Sequence, residues 1–316
     1  MKRTILVLTV ILGVVQLEGQ KVKISENHNA ALRYWMAFAL MQDAPTDTAT
    51  NKLLQDILSG SLPWDEAKVG AIVDQNTEAI LTMQRGTKLP ECDWGLEYDL
   101  GPDAPIAHLA KARVLARLNV LYGIRMAAKH QDDKAVEAWI DGLRFSEHLA
   151  RGASLIGALT AKAALVSDLR AMNNAVHGGS LDSKSVSKVE EAVKALPEYG
   201  FDWGHAVAVE SAGIETGLRQ FKNSAHPDEL YRSWFGDAMP ASTSVPGNAD
   251  ISRYQTVMMQ AAAAFQEPYE SAKERLPVVQ AEIATLNPII KMSIPLLPRI
   301  NDQREEIAIE RSNLLK

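Results

Sequence analysis

Residues 89–103 form the stretch of the sequence that is richest in side chains able to do chemistry. The stretch contains five carboxylates, two aromatic rings and the only cysteine, and it has neither a helical nor an alternating hydrophobic period. Loops of this length inside helical proteins are unusual and often functional. In a functional reading, the rings stack on a sugar or peptide while a carboxylate acts as acid, base or cation ligand. The binding candidates are Trp94, Tyr98 and Asp99, and the catalytic candidates in this loop are Asp93 and Glu97.

A structural reading of the same loop is favoured over the functional one, because nothing in the sequence sets a geometry for the carboxylates. In this reading Trp94 fills part of the core and Asp93 caps a turn. Asp103 then caps a helix that starts near Pro105.

Glu210 is a third catalytic candidate, since it lies on an apolar helical stripe that includes Val207 and Ile214. A carboxylate on such a stripe needs a partner or becomes protonated. The favoured alternative to a functional role is a buried ion pair with an arginine from a neighbouring helix. The candidate arginines are Arg85, Arg113, Arg117 and Arg125.

The remaining motifs give no catalytic signature. None of the seven histidines has the spacing of a metal protease or a haem attachment site. A phosphate-binding glycine loop and a Gly-x-Ser-x-Gly elbow are both missing from the sequence. His205 and Glu210 are five residues apart, which aligns them poorly on a helix. The sequence therefore predicts neither a metal nor a cofactor.

The first residues predict export. A basic start, Met1 to Arg3, precedes an apolar run at residues 4–15, and Gly19 can precede a cleavage site, as in a secretory signal peptide over residues 1–19. The run is shorter than the roughly 20 residues of a membrane span. Leu17 is bulky for such a site, so an uncleaved membrane anchor is an alternative. Cys92 is the only cysteine, so no disulfide within the chain can support the fold.

Hydrophobic periodicity predicts an all-α protein. Residues 104–176 read as three consecutive amphipathic helices joined by short polar breaks, which forces antiparallel packing. We therefore predict antiparallel helical hairpins stacked as a bundle or a short α-solenoid. The formal net charge of −6 and the lack of a basic patch with aromatics argue against nucleic acid as a partner.

The domain organisation predicted after the signal peptide is one helical domain over residues 20–316. One arrangement of this domain has two helical layers that divide near residues 180–200. It is suggested by a sequence echo, because Leu-Pro-Glu and Asp-Trp-Gly occur at residues 89–95 and again at 196–204. This echo indicates either an internal duplication or chance. Residues 225–250 read as an exposed, mobile excursion. The final helix, with Ile300, Ile307 and Leu314 on one side, is expected to pack against a partner or to belong to a longer protein.

Gly123, Ala135, Trp139 and Gly142 have the spacing of the small and bulky packing residues in a tetratricopeptide-type hairpin, so this hairpin resembles one such repeat. The resemblance covers about one hairpin. Glu147 replaces the proline that usually ends the unit, and no second copy is evident. Any antiparallel helix pair in which a Trp fills a groove beside small residues is the alternative.

Three further motifs resemble a group of uncharacterised exported all-helical bacterial proteins. They are Asn29-Ala30-Ala31-x-x-Tyr34-Trp35, Cys92-Asp93-Trp94 and Leu115-Ala116-Arg117. The resemblance covers about the first half of the chain and implies no activity and no catalytic residue.

Three functions fit these observations. The leading one is an exported, periplasmic or secreted helical scaffold that binds another protein or a peptide. The second is an envelope glycan- or peptide-acting enzyme of helical toroid type, which needs two of its carboxylates in one cleft at roughly 5–10 Å. The third is a membrane-tethered helper protein. The carboxylates of the enzyme hypothesis are Asp93, Glu97 and Glu210.

Overall fold

The computed structural model describes residues 28–42, 47–237, 239–240 and 243–316. Within these ranges the chain forms thirteen α-helices, one 3-10 helix and no β-strand, so the predicted all-α class is confirmed. The predicted signal peptide lies outside them. The helices are α1 (Ala30–Leu40), α2 (Thr48–Leu58), α3 (Glu66–Gly86), α4 (His108–Ala128), α5 (Asp132–Ala150), α6 (Leu155–His177), α7 (Ser183–Ala195), α8 (Trp203–Asn223), α9 (Pro227–Phe235), α10 (Asn248–Phe265), α11 (Tyr269–Ile283), α12 (Pro288–Ser293) and α13 (Leu297–Leu314), and the 3-10 helix spans Tyr98–Asp103.

The three consecutive helices predicted for residues 104–176 are α4, α5 and α6, and each packs against the other two. Three-residue to four-residue connections join them, so successive helices run antiparallel. The start of the first one differs from the prediction. Helix α4 begins at His108 behind Ala107, with no side-chain cap, so Asp103 does not cap it.

Glycines set the distance between these three helices. A Cβ atom added at Gly123 of α4 would lie 2.2 Å from Nε1 of Trp139 in α5, so the indole rests directly on the α4 backbone. A Cβ at Gly142 of α5 would lie 2.3 Å from both carboxyl oxygens of Asp168 in α6. Of the packing residues singled out in the sequence, Gly123 and Trp139 therefore meet between α4 and α5, whereas Gly142 faces α6. This contact is common to any close antiparallel helix pair.

Asp168 is an acidic side chain in the middle of this packing. It is fully buried, and its carboxyl oxygens have no hydrogen-bond partner among the described residues. Burial, together with the charge of Asp141, raises the pKa of Asp168 well above its usual value. The neutral acid is consequently the form that this helix interface favours.

The apolar residues form two cores that meet in α4, α5 and α6. One core joins α1, α2 and α3 to these helices, and the other joins them to the helices that follow α6. Leu115 of α4, Phe145 of α5 and Ala161 of α6 belong to the first core, whereas Trp139 and Leu165 belong to the second. The meeting of the cores therefore precedes residues 180–200, where the sequence suggests a division between layers.

Helix α13 packs on its own chain rather than presenting its apolar side to a partner. Ile300, Ile307 and Leu314 are buried, and the helix contacts α6, α7 and α11. Arg311 donates from Nε to the carbonyl oxygen of Val193 at 3.1 Å, at the end of α7. The expectation that this stripe faces a partner is wrong, because the stripe completes the second core.

Arg304 of α13 is a buried cation that links α13 to the end of α10 in the second core. The residue is 1% exposed, and its guanidinium donates to the carbonyl oxygens of Phe265 at 2.5 Å and Glu267 at 2.7 Å. It also lies over the Tyr199 ring at 4.3 Å from the ring centroid. Burial lowers the pKa of Arg304. The carbonyl groups of the last residue of α10 and of Glu267 just beyond it thus hold this cation in place of a carboxylate.

The segment at residues 225–250 has more regular structure than the sequence suggests. It contains α9, in which Tyr231 is buried and contacts the Phe235 ring. Helices α10 and α11 are separated at Pro268, while Pro277 lies inside α11.

The short helix α12 contains Ile289 and Ile290, which are fully buried. No helix in the described ranges has the length and apolarity needed to span a membrane.

The two Asp-Trp-Gly elements have different local structures. Asp202 caps α8 by accepting from the His205 amide at 2.8 Å, and Trp203 is the first residue of that helix. Trp94 instead lies in the irregular segment before the 3-10 helix, and Gly95 has a φ of +64°. The Asp-Trp-Gly part of the echo therefore has no common backbone structure.

The Gly123 contact predicts the stability of a matched pair of variants. Gly123→Ala places a methyl group against the Trp139 indole and should lower the free energy of unfolding by about 1–3 kcal/mol. Gly213→Ala, in α8, has no neighbouring atom within 4 Å of its new Cβ and should raise that energy by up to about 1 kcal/mol through helix propensity. Urea unfolding measures both. Equal effects of the two substitutions would contradict the described α4–α5 contact.

Candidate functional site

The 3-10 helix lies on α8 through a pair of glycines. Gly101 has a φ of +66°, which favours glycine, and a Cβ there would lie 3.1 Å from the Gly217 nitrogen and 3.2 Å from the Gly213 carbonyl oxygen. A Cβ at Gly217 would lie 2.7 Å from the Pro102 ring. Larger residues at these positions would separate the loop from the helix. The close approach closes one side of a cavity.

This cavity, which we call the Glu210 cavity, has a volume of about 280 Å³. Its walls come from the segment around the 3-10 helix, from the start of α6, and from α8, α9 and α12. Most of the lining is apolar or aromatic, and the polar side chains in it are few. The lining includes Tyr98, Ile106, Ser154, Ile156, Glu210, Gly213, Ile214, Trp234 and Phe235.

Glu210 stands where α8 meets the start of α6. Its Oε2 accepts a hydrogen bond from the Leu155 amide at 3.1 Å, and the Ser154 hydroxyl also bonds to it. Leu155 is the first residue of α6, so the carboxylate takes up one of the amides that a helix leaves unpaired at its N-terminus. Burial nevertheless raises the pKa of Glu210. A partly buried carboxyl group with a raised pKa therefore lines the cavity.

Tyr98 occupies the neighbouring position. Its hydroxyl oxygen accepts from the Ser154 amide at 3.0 Å. Burial raises the pKa of Tyr98, and the nearby Glu210 adds to this increase. The Ser154 side chain does not cap α6. Tyr98 and Glu210 instead accept hydrogen bonds from two successive amides at the start of that helix, those of Ser154 and Leu155. Two residues from distant parts of the sequence thus form one polar end of the cavity.

Glu210 does not form the ion pair with an arginine that the sequence predicts. Arg125 instead forms ion pairs with Glu66 and with Asp74, the latter at 2.6 Å. The partners of Glu210 are the backbone and the hydroxyl at the start of α6. The ion-pair prediction is therefore wrong, because a helix N-terminus supplies the hydrogen bonds.

Trp94 lies in the first core, 6% exposed, where the structural reading of the loop places it. Its indole N–H donates to the His148 carbonyl oxygen at 2.9 Å. The ring stacks on Tyr34 and His108, with centroid distances of 5.4 and 4.8 Å. These contacts leave no free ring face for a ligand.

The remaining loop candidates lie outside the Glu210 cavity. Asp93 is exposed, and its Oδ1 accepts from the Gly95 amide at 2.9 Å, as expected for a residue that caps a turn. Glu97 and Asp99 are exposed, and neither lines the cavity. Among the three catalytic candidates, only Glu210 lines it. Among the described lining residues there is therefore no second carboxylate of the kind that a glycosidase-type mechanism needs.

Cys92, the only thiol, is buried, and burial raises its pKa to about 12. Such a thiol is a poor nucleophile at neutral pH. In the described part of the chain, no group of three or more His, Cys, Asp or Glu side chains is placed to hold a metal ion.

Sequence reasoning missed several residues of the cavity. Trp234 and Phe235 were assigned to the excursion at residues 225–250, and Ile156 and Gly213 were not singled out. One signal was present: Glu210, Gly213 and Gly217 are spaced three and four residues apart, which puts a carboxylate and two glycines on one helical face.

Comparisons with known proteins give no relative for this chain: no protein-family model, no curated protein and no solved structure matches it.

The raised pKa of Glu210 predicts how the stability of a Glu210→Gln variant depends on pH. The folded protein keeps this proton to a higher pH than the unfolded chain, in which the carboxyl titrates near 4.5. Between the two pKa values the unfolded state has fewer bound protons, so stability falls as pH rises. Wild type should therefore lose stability relative to Glu210→Gln as pH rises from about 4.5 through the folded pKa, with no further change above it.

Urea unfolding of both proteins between pH 4 and pH 8 measures this difference. A difference that stays constant with pH would contradict the raised pKa. A wild type that gains stability relative to the variant as pH rises would show that the helix N-terminus outweighs burial at this site.

Proposed function

We propose that this protein is an exported helical scaffold that binds an apolar segment of another protein or peptide in the Glu210 cavity. The observation that carries the proposal is the composition of that cavity. Aromatic and aliphatic walls enclose a space of about 280 Å³, and the Tyr98 hydroxyl and the Glu210 carboxyl stand together at one end of it.

The walls favour an apolar anchor. Trp234 and Phe235 from α9 and Ile214 from α8 line the space, and no atom lies within 4 Å of the Cβ position of Gly213. Ile156 also lines the cavity and is 50% exposed, so apolar surface continues outward to solvent. Burying one large apolar side chain of a ligand here would contribute about 1.5–3 kcal/mol.

The polar end favours a peptide over a pure hydrocarbon. A peptide group carries both a donor and an acceptor, and a carboxyl with a hydroxyl beside it can bond to both. Glu210 and Tyr98 are also held rigidly by the α6 amides, so little side-chain entropy is lost when a ligand binds.

The export part of this proposal is supported by the sequence of residues 1–19, which has the pattern of a secretory signal peptide. The same residues support the membrane-tethered alternative if they are not cleaved. The enzyme alternative is less well supported, because Asp93 and Glu97 do not line the cavity that contains Glu210.

A peptide-display selection tests the proposal. Purified mature protein would be used to select peptides from a random phage-displayed library, and the affinities of the selected peptides would be measured by fluorescence polarisation. We expect peptides with a large apolar residue, and we expect Gly213→Leu to bind them about tenfold or more weakly because its side chain fills the cavity.

The matched control is Ala212→Leu, which adds a side chain of the same size to the adjacent, exposed position on α8. It should bind the peptides as wild type does. Failure to select any peptide, or equal binding by Gly213→Leu and wild type, would overturn the proposal.

A further inference from the structure

A second cavity lies between α2, α4 and α6 and is lined by three arginines. Its volume is about 290 Å³, near the low end of the roughly 300–1,000 Å³ typical of small-molecule sites. Arg113 and Arg117 reach it from α4, and Arg170 reaches it from α6. No aspartate or glutamate is among the described residues that line it. We call it the arginine cavity.

The space exists because the helices carry small residues at this level. Ala116 on α4 and Ala163 and Ala164 on α6 line the cavity beneath the guanidinium groups. Arg113 and Arg117 are four residues apart, so their side chains leave the same face of α4. The rim adds the neutral polar side chains of Gln55, Ser59 and Ser167.

Two of the three arginines have no counter-charge among the residues that the structure describes. Arg113 makes no hydrogen bond or ion pair with any described residue, and Arg117 makes one long contact, from Nη2 to Oε1 of Gln55 at 3.4 Å. Arg170 bonds to Glu306 and Glu310, each at 2.7 Å. Two like charges one helical turn apart repel each other, so the cavity holds positive charge that the described residues do not balance.

Arg125, on the same helix, shows the contrast. It is bound by the carboxylates of Glu66 and Asp74, and these hydrogen bonds raise its pKa. Arg125 is thus neutralised by acidic partners, whereas Arg113 and Arg117 have none among the described residues.

We infer that the arginine cavity binds the phosphate group of a small anionic molecule. Guanidinium groups present several N–H donors in a planar fork, which suits bidentate binding to phosphate oxygens. Such charge-assisted hydrogen bonds are shorter and stronger than those between neutral groups. The hydroxyl and amide groups on the rim can bond to the remaining oxygens.

This site is separate from the Glu210 cavity. Ala163, the first α6 residue that lines the arginine cavity, follows Ile156 by seven residues, which corresponds to about 10 Å along the helix axis. The two cavities have no lining residue in common. The inference therefore does not rest on the proposed function.

Isothermal titration of the full mature protein with sodium pyrophosphate tests the inference. Wild type should bind one equivalent, and the double variant Arg113→Gln/Arg117→Gln should bind about tenfold or more weakly. The control is Arg232→Gln/Arg299→Gln, which removes the same charge from exposed positions that do not line the cavity and should leave the affinity unchanged. Circular dichroism melting checks that all three proteins fold, and the single variant Arg113→Gln gives a milder test.

The possible results separate the sources of the phosphate. Absence of pyrophosphate binding by wild type, or equal weakening in the double variant and its control, would overturn the inference, the latter because only net charge would then matter. Co-sedimentation with vesicles that contain phosphatidylglycerol, performed in parallel, tests a lipid headgroup as the source. Binding to such vesicles without binding to pyrophosphate would overturn the small-molecule assignment.

Discussion

The close packing of α4, α5 and α6 is the constraint on which the rest of the structure depends. Gly123 leaves room for the Trp139 indole between α4 and α5, and Gly142 leaves room for the Asp168 carboxyl between α5 and α6. All three helices contribute residues to both apolar cores. With no disulfide possible within the chain, these cores must hold the fold through burial of apolar surface.

Both candidate sites are built on α6. The N-terminus of the helix binds the Tyr98 hydroxyl and the Glu210 carboxylate and so positions the polar end of one cavity. Farther along the same helix, Ala163 and Arg170 form part of the arginine cavity. A rigid central helix thus keeps two sites of different chemistry apart, one apolar with a carboxyl group and one cationic.

Much of the fold could be predicted from the sequence, because local hydrophobic periodicity determines which residues are helical. The contact between Gly123 and Trp139 followed from their spacing. The site was only partly predictable: Tyr98 and Glu210 were singled out for their types, but their common partner, the start of α6, is more than fifty residues from each. Helix α9 was missed because its residues precede a segment rich in proline, serine and glycine. Trp94 could not be assigned from its loop alone, since its neighbours come from α1, α4 and α5.

The central claim is that α4, α5 and α6 form the common support of both cores. Native-state hydrogen exchange with mass spectrometry tests this claim directly, because amides in the most stable part of a protein exchange only through global unfolding. We expect peptides from residues 108–177 to exchange more slowly than those from residues 227–235 and at the rate of global unfolding. Exchange of residues 108–177 as fast as that of residues 227–235, while the outer helices stay protected, would contradict it.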